Sequence, residues 1–127
     1  MQLVNWENID YFTSEELRCS HSGNCLMQQD FMDKLVLLRK TINRPLQINS
    51  GFRDETHPIE AKKLKPGYHT KGIAVDILAN HKHALDIIKT ALELGFTGIG
   101  VNQKGNYNQR FVHVDTRETP TPVLWSY

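Results

Sequence analysis

From Gly72 to Ile77 the chain reads Gly-Ile-Ala-Val-Asp-Ile, with β-branched residues at the odd positions and glycine, alanine and aspartate at the even ones. A period of two is the pattern of a half-buried strand, whose successive side chains point to opposite faces. This stretch constrains the fold more than any other. One face, Ile73, Val75 and Ile77, needs a core. The other is nearly bare, ends in the Asp76 carboxylate, and is preceded by His69. Small residues beside a histidine and an aspartate leave room for a metal ion.

A second segment repeats the arrangement. In Phe111-Val-His-Val-Asp115, Val112 and Val114 share one face while Phe111, His113 and Asp115 share the other. Between and before these lie two helical patterns. Phe31, Leu35, Leu38 and Ile42 recur at helical spacing and predict a helix over 28–42, stopped by Asn43 and Pro45. Ala84, Leu85, Ile87, Ile88, Ala91 and Leu92 predict another over 81–94, with Asn80 as N-cap and Gly95 closing it. His81 and His83, at its polar start, read as exposed. Thr13 and Glu16 form a capping box for a short first helix. Leu46–Asn49 and Phe96–Val101 read as further strands, the second weakened by Gly98 and Gly100, where a backbone or ligand approaches closely. The segment 54–68 is polar and irregular, with a Pro66-Gly67 turn and several lysines, and reads as a substrate-binding loop or a solvated one. The tail from Thr119 is extended, with Trp125 docking it on the body.

With 127 residues the chain is long enough for one domain, 1–127, with its own core. A net charge of +1 gives no case for nucleic acid as a partner. The first ten residues lack the positive and apolar regions of a secretory signal, and no run approaches the ~20 apolar residues of a membrane span. Synthesis in the cytoplasm, without a signal peptide or membrane partner, is expected. Cys19 and Cys25 flank His21 in a loop. Reduced structural thiols are expected there, ahead of a disulfide or a second metal site.

His69 and Asp76, joined by His113 from the second strand, make a His₂Asp set of the kind that holds a catalytic metal with one position open. The run His69-x-x-Gly72-x-Ala74-x-Asp76, then Gly98-Ile99-Gly100, then Phe111-Val-His-Val-Asp115, resembles the zinc D-alanyl-D-alanine carboxypeptidases and related peptidoglycan endopeptidases. Ser50-Gly51-Phe52-Arg53 is similar to their Ser-Gly-[Tyr/Phe]-Arg segment, and Phe12–Leu17 to the opening of the shorter members. The resemblance implies an α+β fold, shared with lysostaphin-type peptidases and the hedgehog signalling domain, in which a small antiparallel sheet carries helices on one face. It implies Zn²⁺ held by His69, Asp76 and His113, and Arg53 binding the substrate's carboxylate or scissile carbonyl. The implied activity is hydrolysis of a peptide bond in the peptidoglycan stem peptide, as D,D-carboxypeptidase or endopeptidase, by a monomer. Small members of this kind are often phage lysis enzymes acting on the cell wall.

Two positions depart from the family pattern. Gly67 stands where a serine is usual. Arg110 stands where many members have the general-base carboxylate, and an arginine accepts no proton at neutral pH. Asp115 is the nearest acid in sequence, either as the catalytic base or as the carboxylate that orients a ligand histidine. Glu55, Glu60 and His57 are further candidates. Arg110 also leaves open a non-catalytic cell-wall-binding or phage structural module. A cytoplasmic D-Ala-D-Ala dipeptidase is a third reading.

Overall fold

A computed structural model of the chain describes residues 2–127. Five strands form one sheet: β1 (Gln47–Ser50), β2 (Ala74–Leu78), β3 (Gly98–Asn102), β4 (Phe111–Asp115) and β5 (Val123–Ser126), in the order β1-β2-β4-β3-β5. The fold is α+β, and every strand pair is antiparallel except β3 with β5. That parallel edge comes from the tail, which the sequence marks only as extended. The chain leaves β4, crosses beyond β3 and returns alongside it. Four helices accompany the sheet: α1 (Ser14–Leu17), α2 (Gln29–Ile42), α3 (Pro58–Ala61) and α4 (His81–Glu93). No helix among the described residues is long and apolar enough to cross a membrane.

The odd positions of β2 and the even positions of β4 behave as their alternation requires. Val75, Ile77, Val112 and Val114 are fully buried and join Ile99 in one apolar cluster. The cluster includes Phe31, Met32, Leu35 and Leu38 from α2 and Ala84, Ile87 and Ala91 from α4, so both long helices cover this face. Phe31 meets Phe96 edge-on at 5.9 Å, a favoured aromatic geometry. Helix α2 stops at Asn43, whose left-handed backbone (φ 54°) lets its N–H reach the Arg39 carbonyl.

Helix α4 differs from its sequence pattern in three respects. Leu85 and Leu92 are exposed, so the buried stripe is narrower than the run of apolar residues suggests. His83 is buried rather than exposed and is the first inward-facing position of α4. The Asn80 side chain does not cap the helix but reaches the Tyr107 carbonyl at 3.4 Å. Segment 54–68 is less irregular than its composition implies, since it contains α3, capped by the His57 side chain accepting from the Ile59 N–H at 3.1 Å. Cys19 and Cys25 are free thiols.

Candidate metal centre

On the face away from the helices, register brings the polar residues into line. Ser50 pairs with Asp76, Asp76 with His113, His113 with Gly100 and Gly100 with Trp125, so one row crosses all five strands. The adjacent row runs Ala74, Asp115, Gly98, Val123. His69 arrives from outside the sheet, on the 3₁₀ turn Tyr68–Lys71 that leads into β2.

The two glycines of these rows have a steric function. A Cβ on Gly98 would lie 2.1 Å from Asp115 Oδ1, and one on Gly100 would lie 2.7 Å from the Trp125 ring. What approaches β3 closely is thus neither backbone nor ligand, but a carboxylate and an indole from the neighbouring strands.

One donor atom each from His69, Asp76 and His113 lies within 4.8 Å of the other two, and all three residues are only 4% exposed. Asp76 Oδ1 is 3.4 Å from His69 Nε2 and 2.9 Å from His113 Nδ1. Metal bonds of about 2.0–2.1 Å at tetrahedral angles put neighbouring donors roughly 3.3 Å apart, so the set fits a small divalent ion. The remaining nitrogens strengthen the fit. His69 Nδ1 lies 2.8 Å from the Gly51 carbonyl, which only accepts, so this nitrogen carries the proton and Nε2 presents its lone pair. His113 Nε2 lies 2.7 Å from Asp115 Oδ2, which leaves Nδ1 for the metal. Both imidazoles are oriented through the nitrogen that faces away from the centre, the usual support for metal-binding histidines.

Charge alternates along a chain of contacts on either side of this centre. Glu60 is 1% exposed and accepts from Arg53 at 3.0 Å, from Lys63 at 3.1 Å and from the Gly67 N–H at 2.8 Å. Arg53 also donates to Ser50 Oγ at 3.0 Å and to Asp76 Oδ2 at 3.3 Å. Beyond His113, Asp115 is fully buried and accepts from Arg117 through Nε (2.9 Å), NH2 (2.6 Å) and the backbone N–H (3.1 Å). Burial works to raise all three carboxyls, but the hydrogen bonds outweigh it. Glu60 and Asp115 are held down at about 2, and Asp76 lies well below the usual carboxylate range. His113 is raised: burial opposes its charge, but Asp115 and Asp76 favour it more.

The structure brings His69, Asp76, His113, Asp115 and Arg53 together. Asp115 lies behind His113, bonded to the nitrogen that faces away from the donor cluster, and does not line the cleft. The other proposed bases do not line the cleft either. Glu55 is exposed, Glu60 is saturated by cations, and His57 is engaged with the Ile59 N–H and Ser20. Arg110 lies apart from the centre, stacked on Tyr107 at 4.4 Å and donating to the Gly105 carbonyl. The cleft over the centre encloses about 550 Å³ and is walled by Ile59, Tyr68, Phe111, Trp125 and Tyr127. A larger hollow of about 780 Å³, on the other side of Tyr68, holds none of the three donor residues.

Arg117 and the aromatic pair Trp125 and Tyr127 were not legible as site residues, and Glu60, a candidate base in the sequence, is instead an ion-pair partner of Arg53 and Lys63. Asp115-Thr-Arg117 offered a hint, since an arginine two residues beyond a buried acid is placed to pair with it.

A buried His₂Asp set that could hold a metal ion thus lies on a small α+β sheet, beneath a cleft with aromatic walls. The family model for peptidase M15 matches residues 10–115, and the chain belongs to that family. Among curated relatives, the peptidoglycan L,D-endopeptidase MepK of Escherichia coli (strain K12) is 35% identical over 78 residues, 58% of this chain and 41% of the relative. The Shigella flexneri protein of the same name matches equally. The chain therefore spans well under half the length of these relatives.

Proposed function

We propose that this protein is a zinc-dependent peptidase that hydrolyses a peptide bond in the stem peptides of peptidoglycan. The observation that carries the reading is the convergence of His69 Nε2, Asp76 Oδ1 and His113 Nδ1, with the second nitrogen of each imidazole already bonded. The substrate class follows from the family and from what the MepK relatives are named for. His69, Asp76 and His113 would hold the zinc, which when bound would supply Lewis-acid chemistry for hydrolysis of the scissile bond. Arg53 lies beside Asp76 and keeps donors beyond those used by Ser50, Glu60 and Asp76, so it stabilises negative charge developing on the substrate oxygen. Asp115 is a positioning residue that fixes the His113 ring.

A second reading is a non-catalytic wall-binding module. It is favoured by the absence, among the described residues, of any carboxylate lining the cleft other than Asp76. Purified protein loaded with zinc separates the two. The peptidase releases new amine termini from purified peptidoglycan, loses this activity on chelation, regains it with zinc, and is inactive as His69→Ala. Protein that holds one equivalent of zinc, binds wall and releases no amine is the module.

A further inference from the structure

Arg117 does more than its pairing with Asp115 requires. Its Nε and NH2 grip that carboxylate, while NH1 makes no hydrogen bond among the described residues. The guanidinium lies over two aromatic rings, with its carbon 4.3 Å from the Tyr68 ring centre and 4.6 Å from that of Trp125. The side chain is 18% exposed and lines the cleft. A guanidinium packed against two rings and paired with Asp115 along one edge, with NH1 open, is a preorganised fork for a second carboxylate, and little rotamer entropy remains to be lost on binding.

The electrostatics favour an anion there. Arg53, Lys63 and Arg117 face the cleft and are balanced by Glu60, Asp76 and Asp115. A divalent ion on the His₂Asp set tips that balance positive, so an incoming carboxylate meets uncompensated charge. Arg117 lies at the opposite end of the contact chain from Arg53, with Asp76, His113 and Asp115 between them.

Building on the peptidase reading, we propose that Arg117 determines specificity. Its open edge binds a carboxylate of the peptide substrate, apart from any group held by Arg53, and selects acidic peptides over their amidated forms. The carboxylate belongs either to the peptide C-terminus or to a side chain near the scissile bond.

The test uses the zinc-loaded full chain and three matched stem-type peptides: both carboxylates free, C-terminal amide, and side-chain amide. Binding is read by calorimetry and cleavage by amine release. One of the amides is expected to bind at least ~10-fold more weakly and to raise KM with little change in kcat; which one it is identifies the source of the carboxylate. In Arg117→Gln that discrimination falls to within about twofold. Arg117→Lys, which keeps a cation beside Asp115 but lacks the fork, loses most of it at unchanged zinc content. A purely structural Arg117 would weaken all three peptides together, or lower zinc content and kcat without changing their ranking. Equal binding of all three by the wild type, or discrimination that survives in both variants, overturns the proposal. Discriminating binding without cleavage of any peptide upholds it and instead overturns the peptidase reading.

Discussion

The two faces of β2 and β4 are about equally dry, yet they are held by different physics. On one, Val75, Ile77, Val112 and Val114 pack beneath α2 and α4 through contacts that depend on volume and not on direction. On the other, Asp76, His113 and Asp115 are no more than 4% exposed, and their polar atoms have specified partners. A lost methylene on the first face costs in proportion to its size. A lost acceptor on the second leaves a buried donor unpaired and an imidazole free to turn. The same strands thus give stability from one side and the proposed chemistry from the other, and substitutions should sort by side.

Asp115→Asn should produce the largest departure. It removes the anion that orients His113, and should weaken zinc affinity about 10–100-fold in chelator competition. An unchanged affinity would mean that the polar face is as tolerant as the apolar one. A smaller effect comes from pH. In the metal-free protein both His113 nitrogens face carboxylates, so the ring is held as imidazolium above its ordinary range. This pairing stabilises the metal-free fold fully below about pH 6.5 and ceases to do so as pH rises through the raised value. Zinc must displace the proton on Nδ1, so affinity should fall by up to ~10-fold per pH unit below that value, with about one proton released per ion bound. Isothermal titration in buffers of different ionisation enthalpy would count that proton. The smallest effect belongs to the apolar face, where Ile77→Val should cost about 0.5–1.5 kcal/mol in urea denaturation and leave zinc affinity unchanged. If it shifts affinity as Asp115→Asn does, the two faces are not separable.

How much of this was legible varies with how local the cause is. The alternation in 72–77 and 111–115 is local, and so were the strands and their buried faces; the grouping of Asp76 with His113 came through the family resemblance. His69 was legible through its motif. The partners that complete the site depend on register and return paths, which no local pattern encodes. Glu60 reads as one of three candidate bases on its loop, and only the folded chain shows Arg53, Lys63 and the Gly67 N–H occupying it. Gly98 and Gly100 read as weak points in a strand, and only the pairing with β4 and β5 shows them as clearances for Asp115 and Trp125. His83 reads as polar and exposed because sequence spacing does not say how α4 is rotated against the sheet.

The indole seated over Gly100 makes the centre visible to light. Trp125 lies with its ring centre 5.1 Å from that of His113, and the chain has one other tryptophan, Trp6, remote in sequence on an N-terminal 3₁₀ turn. An imidazolium beside an excited indole drains its emission, whereas a zinc-bound neutral imidazole does not. Loading the site should therefore brighten Trp125, and Trp6→Phe would leave it as the sole emitter. The fold has in effect placed a lamp against a proposed metal ligand, so that occupancy is readable by fluorescence without any added label.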